Sequence, residues 1–86
     1  GWTLDTHGQH HTPCLIKNWT LPSFDAAVVR FNQIAQLAQV HDHHPEILSC
    51  YTDLQVRLWT HDVAGLTEKD FNMAHSIDAL LTQTQP

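Results

Sequence analysis

Positive charge is scarce in this chain. Four Lys and Arg stand against nine Asp and Glu in 86 residues, a formal net charge of −5. No basic stripe runs along any segment, which argues against direct contact with a nucleic-acid backbone. Cysteine is scarcer still. Cys14 and Cys50 are too few and too isolated for a disulfide framework and form no CxxC pair, so they are expected reduced and mostly buried, in a reducing compartment. No apolar run approaches the roughly twenty residues that span a bilayer, and the N-terminus has no signal-peptide pattern. The expectation is a soluble chain in the cytoplasm, with the nucleus or an organelle left open. GxSxG, P-loop and dinucleotide fingerprints are missing. Covalent and nucleotide-driven mechanisms therefore lose ground. The chain opens on Gly1, which suggests that an upstream segment was trimmed.

What is present is histidine, eight in all. Residues 41–45 read HDHHP, too internal for a tag and placed just after an amphipathic stretch. With 86 residues the chain is expected to be one domain, 1–86, with a modest core. That is close to the size at which domains need metals, disulfides or self-association to be stable.

Along the chain, GWTLDTH alternates like a short strand, GQHHT is a polar turn, and CLIKNWTL can pair back as a hairpin. Ser23 is a good N-cap for a long helix in which Phe24, Ala27, Val28, Phe31, Ile34, Ala35 and Ala38 recur at helical spacing. Pro45 pushes His44 out of the helical region and is expected to end that helix. From Ser49 to Thr60 the pattern alternates, with Leu54, Val56 and Leu58 on one face and Asp53, Gln55, Arg57 and Trp59 on the other, as in a half-buried strand. Thr67 then caps a second helix that carries Phe71, Ala74, Ile77 and Leu81 on one side. The order β-β-α-β-α predicts an α+β domain, an antiparallel sheet of three to four strands with helices packed on one face.

His41 to Pro45 leave the first helix, and the THD of Thr60 to Asp62 closes the long strand. If strand and helix run alongside each other, His43, His44 and His61 share a cleft at one end of the sheet. Imidazole titrates nearest neutrality, so such a cleft can both donate and accept protons, which suits an elimination or an isomerisation. A zinc site is the rival, since His, Asp and His at close spacing offer nitrogen and oxygen ligands, although HExxH and paired cysteines are missing. His7, His10, His11 and His75 read as ordinary surface histidines. Trp2, Trp19 and Trp59 read as core or interface residues, and Asp70 as a helix-start residue.

HHPEI, then Tyr51, the alternating strand, THDVAGLTEKD, Ala74 and IDALL together resemble the pterin-4a-carbinolamine dehydratases, known in animals also as a dimerisation cofactor of a homeodomain transcription factor. The ordered match runs from His43 to Ile77. It continues more weakly upstream through Gly1, Trp2 and FDAAVVRF, with a few extra residues around GQHHT. The resemblance implies dehydration of 4a-hydroxytetrahydropterin to quinonoid dihydropterin, as part of tetrahydrobiopterin recycling, without a metal or other cofactor. On that footing His43 and His61 are the acid and base, and His44 orients the pterin. Asp70 holds or polarises a histidine, and Pro45, Thr60 and Asp70 make up the substrate-binding set.

The resemblance also implies a homodimer built by joining sheets, or a tetramer built by packing long helices, with the long helix open to a protein partner. The alternatives are a non-catalytic interaction module and a small metal-binding domain. The chain departs from the family pattern in having no helix before the GW, in Gln39 where an acid is common, and in Ile47 where an aromatic is common.

Overall fold

The computed structural model of the chain describes residues 1–6 and 12–83, with side chains as far as residue 80. His7 and the first four residues of the GQHHT turn, with His10 and His11, lie outside the described residues, as does the side chain of Leu81. The elements are β1 (Thr3–Asp5), β2 (Cys14–Thr20), α1 (Phe24–His41), β3 (Glu46–Cys50), β4 (Asp53–Leu58), a 3-10 turn (His61–Val63) and α2 (Glu68–Gln83). The four strands form one antiparallel sheet in the order β1-β2-β4-β3. Leu54, Val56 and Leu58 of β4 are all buried and meet Ile34 and Ala38 of α1 and Met73, Ala74 and Ile77 of α2. Both helices thus cover one face of the sheet, the α+β arrangement the periodicity predicts.

β4 owes its burial to its place between β2 and β3. It is paired on both edges, and its alternate side chains point into the core. Each such side chain, moved from water to the interior, contributes about 1.5–3 kcal/mol. A second tie joins Trp2, just before β1, to β2 and α2. Lys17 Nζ lies 2.8 Å from Asp78 Oδ1, which also accepts from Trp2 Nε1 at 3.1 Å. The rings of Trp2 and Trp19 meet edge to face at 6.2 Å, and the Lys17 ammonium sits over both of them.

The structure departs from the sequence expectation at the strand written from Ser49 to Thr60. That stretch belongs to two strands, joined by a two-residue turn at Tyr51 and Thr52 that sets Cys50 opposite Asp53. Tyr51 takes a left-handed conformation, φ 51°. The order is therefore β-β-α-β-β-α. The difference matters for the site. A single strand of that length would travel about 40 Å and carry His61 away from the end of α1. The hairpin reverses the chain, so β3 leaves the histidine end and β4 returns to it.

α1 begins as expected, with the Ser23 hydroxyl accepting from the Ala26 amide at 3.1 Å. It does not end because of Pro45. Asp42 turns left-handed at φ 49°, its amide bonds to Gln39 O, and the His43 amide bonds back to Ala38 O at 3.1 Å. This six-to-one closure stops the helix two residues before the proline has any effect. The buried stripe of α1 is narrower than the spacing implies. Ala27, Ile34 and Ala38 are buried, while Phe24 and Val28 are exposed. Phe71 of α2 also points outward, and Met73 takes the core position instead. Cys14 is buried as expected, but Cys50, in β3 beside the hairpin turn, is exposed.

Candidate active site

The closure that ends α1 also places His43. With its amide tied to Ala38 O, the residue leaves the helix axis sideways and its ring reaches the first turn of α2. There Asp70 is fully buried, and its Oδ1 lies 2.6 Å from His43 Nε2. Asp70 is in position because α2 starts with a reciprocal cap. The Thr67 hydroxyl accepts from the Lys69 amide at 3.3 Å, and Asp70 Oδ2 accepts from the Thr67 amide at 2.9 Å. This is the Thr-x-x-acid form of a capping box, with aspartate in the glutamate's place. Thr60, arriving from the end of β4, donates its hydroxyl to the same Oδ2 at 2.8 Å.

His61 follows Thr60 and opens the 3-10 turn. The loop from Thr60 to Gly65 is closed by a pair of backbone bonds between those two residues, 2.8 and 3.4 Å, and Ala64 supplies the left-handed step at φ 49°. The imidazole of His61 is exposed and leans on the Trp59 indole, centroids 4.8 Å apart and planes tilted by 51°. His44 is also exposed, and its Nε2 lies 2.9 Å from Gln39 Oε1. Gln39 thus orients His44 as a neutral partner.

His43, His44 and His61 line one cleft of about 200 Å3 together with Asp42, Thr60, Asp62 and Lys69. His61 also borders a second recess of about 300 Å3, formed with Thr12, Trp59 and Ala64. The convergence of the three histidines agrees with the sequence expectation. Two members of the substrate-binding set do not fit as expected. Asp70 has no exposed surface and accepts donors on both oxygens, so it stands behind His43 and not in the cleft. Pro45 is not among the residues lining the cleft. Thr60 does reach the wall, yet its hydroxyl is committed to Asp70. Asp42, named in the sequence only as a possible zinc ligand, and Asp62, named only as part of the THD motif, also line the cleft, as does Lys69, which sequence reading did not single out. The one signal for Lys69 is its adjacency to Asp70.

Among the described residues no three of His, Cys, Asp or Glu are grouped so as to hold a metal ion. The cysteines stand apart from the cleft. Burial pushes the Cys14 thiol up from its ordinary value, against the pull of Arg57. Arg57 in turn is held by Asp5 at 3.0 Å and Glu46 at 3.5 Å across the face opposite the helices.

A four-stranded antiparallel sheet with two helices on one face and three histidines lining a cleft at the end of β4, one of its two central strands, defines a small α+β domain. The family model described as Pterin 4 alpha carbinolamine dehydratase matches residues 1–80, and the chain belongs to that family. Among curated relatives, a protein of Chloroflexus aggregans named "Putative pterin-4-alpha-carbinolamine dehydratase" is 36% identical over 93% of this chain and 80% of its own length. One of Dechloromonas aromatica with the same name is 40% identical over 94% of this chain and 67% of its own.

Among solved structures, the transcriptional coactivator/pterin dehydratase from Brucella melitensis superposes with a TM-score of 0.81 at 30% identity, over 92% of this chain and 80% of that one. A pterin dehydratase-like protein identified as a RuBisCO assembly factor of the alpha-carboxysome shares the fold, with a TM-score of 0.73 at 22% identity over 93% of this chain and 88% of that one. No helix among the described residues is long and apolar enough to cross a membrane.

Proposed function

We propose that the chain dehydrates 4a-hydroxytetrahydropterin to quinonoid dihydropterin and water, the step that returns a spent pterin cofactor to its recycling path. The observation that carries the reading is the meeting of His43, His44 and His61 on one cleft, with His43 backed by a buried carboxylate. The reaction breaks the C4a–O bond, removes the proton from N5 and forms the C4a=N5 double bond. It needs one group to protonate the departing hydroxyl and one to accept the N5 proton. His43 and His61 supply that pair, exchanging roles between the two stereoisomers of the substrate, and His44, steadied by Gln39, orients the ring. The cleft is smaller than the roughly 300–1,000 Å3 of a pocket that engulfs its ligand. It therefore grips the reacting edge of the pterin and leaves the rest open.

General acid–base help of this kind contributes about two to four powers of ten in rate, sufficient for a reaction that already proceeds in water. The test is the decay of freshly generated 4a-hydroxytetrahydropterin, followed by absorbance with and without the purified chain. Acceleration in proportion to protein supports the reading, and an unchanged decay overturns it.

A second reading, a protein-interaction domain, draws on the outward side of α1. Val29 and Val40 are exposed there, and Phe24 and Val28 are exposed along the flank of the helix, apolar positions suited to a second copy or to another protein. A dimer or tetramer packed through α1 is compatible with catalysis, since the cleft lies at the helix end and not along that surface.

A further inference from the structure

The groups behind His43 form a hydrogen-bond chain whose direction can be worked out. Thr67 Oγ1 accepts from the Lys69 amide and lies 2.7 Å from Thr60 Oγ1, which lies 2.8 Å from Asp70 Oδ2. Each hydroxyl has one proton to give. If Thr60 gave its proton to Thr67, its oxygen would face the carboxylate lone pair to lone pair inside a buried cluster, where an unmade bond is costly. Thr60 therefore donates to Asp70, and Thr67 donates to Thr60. Oδ2 receives a second donor, the Thr67 amide, and the first turn of a helix favours negative charge. Asp70 is left to accept at Oδ1 as well, and at 2.6 Å only a protonated Nε2 of His43 can satisfy it.

We propose that this chain, anchored in the cap of α2, fixes His43 as the Nε2-protonated tautomer and offers Nδ1 to the cleft as the atom that exchanges a proton with substrate. Thr60 and Thr67 are then positioning residues that act through Asp70. The tautomer is a property of the free protein. Only the role of Nδ1 in turnover rests on the dehydratase reading.

The experiment is long-range 1H–15N spectroscopy of the 15N-histidine-labelled chain, with the His43 signals identified by their loss in His43→Gln. In the native chain, neutral His43 should carry its proton on Nε2 and a lone pair on Nδ1. Thr60→Val, which keeps the side-chain shape and removes one of the two donors that hold Oδ2, lets the carboxylate turn so that Oδ1 no longer meets Nε2 squarely, and should shift the tautomer ratio about five-fold toward Nδ1–H, the worth of one ordinary hydrogen bond. It should lower kcat with little change in KM, and Thr60→Ser should restore both. A native His43 protonated on Nδ1 overturns the proposal, and this measurement stands even if Thr60→Val does not fold. A Thr60→Val chain with native tautomer and native kcat overturns it too. The expected tautomer in a chain with no dehydratase activity would remove the catalytic role of Nδ1 and leave the hydrogen-bond assignment intact.

Discussion

Replacing His43 and His61 by alanine, one at a time, separates their two kinds of work. On the proposed mechanism both substitutions remove a proton-transfer group, so each should lower kcat by about two to four powers of ten with a much smaller change in KM. Their effects on stability should differ. His43 is 9% exposed, and its Nε2 is the one described partner of Asp70 Oδ1, inside a residue with no exposed surface. Removing it strands a buried carboxylate oxygen and opens a space where the ring was. A buried acceptor left unmade costs about 1–3 kcal/mol. For a domain of this size each kcal/mol is about 4–8 °C in Tm, so at the middle of that range, about 2 kcal/mol, His43→Ala should melt about 8–16 °C below the native chain.

His61 is exposed, and the contact described for its ring is the tilted one with Trp59. Its removal should move Tm by no more than about 4 °C, in line with other surface substitutions. Thermal melts by circular dichroism, run beside the absorbance assay, give both quantities on the same samples. Equal destabilisation by the two variants would refute the placement of His43 as a buried partner of Asp70. Native kcat in both would refute the acid–base pair.

Two further outcomes are expected. Iodoacetamide at pH 8 should modify exposed Cys50 and spare Cys14, whose raised pKa keeps it in the thiol form. Because that folded-state value lies above the unfolded one, the contribution of Cys14 to stability should be complete at neutral pH and decline as pH rises past about 9; peptide mapping and high-pH melts check both halves. Val29→Glu, on the outward side of α1 where Val29 is 56% exposed, should weaken self-association roughly a hundred-fold, from about 1.5–3 kcal/mol for each apolar side chain no longer buried. Sedimentation at micromolar concentration reads this, and an unmodified chain that is monomeric there would refute an α1 interface. Leu37, which helical spacing places on the same outward side, is half-buried against the core; a charge there would test the fold instead.

How far the sequence could be read depended on whether the deciding interaction was local. Ser23 capping α1, the alternation of Leu54, Val56 and Leu58, and Thr67 opening α2 are written in neighbouring residues, and the structure has them all. The Tyr51–Thr52 turn was not legible, because hairpin turns are recognised by Asn, Asp or Gly, and here a tyrosine takes the left-handed position. The end of α1 at Asp42 was hidden behind a louder breaker, Pro45. The exposure of Cys50 followed from the unseen turn. At the site, the convergence of the histidines was foreseen, but from one strand lying alongside the helix. It is the second strand, absent from that expectation, that returns His61 to His43. Asp70 was marked by family likeness, whereas its burial depends on three elements meeting and leaves no local trace.

The contact between His43 and Asp70 joins the last residues of one helix to the first turn of another, 27 positions apart in the chain. Helix ends are where native proteins fray first, by local openings far cheaper than global unfolding. On the dehydratase reading, the proton-transfer group is thus built on the two segments most prone to such openings, and its working geometry lasts only as long as both stay closed. Inactivation should therefore precede unfolding as temperature or denaturant rises. The amides of Thr67, Asp70 and His43, each held by a single described bond, would exchange with solvent in step with the loss of activity while the β4 amides are still protected. Thermal tolerance of the reaction would then be set by a hinge of a few residues, and a more stable core would not extend it.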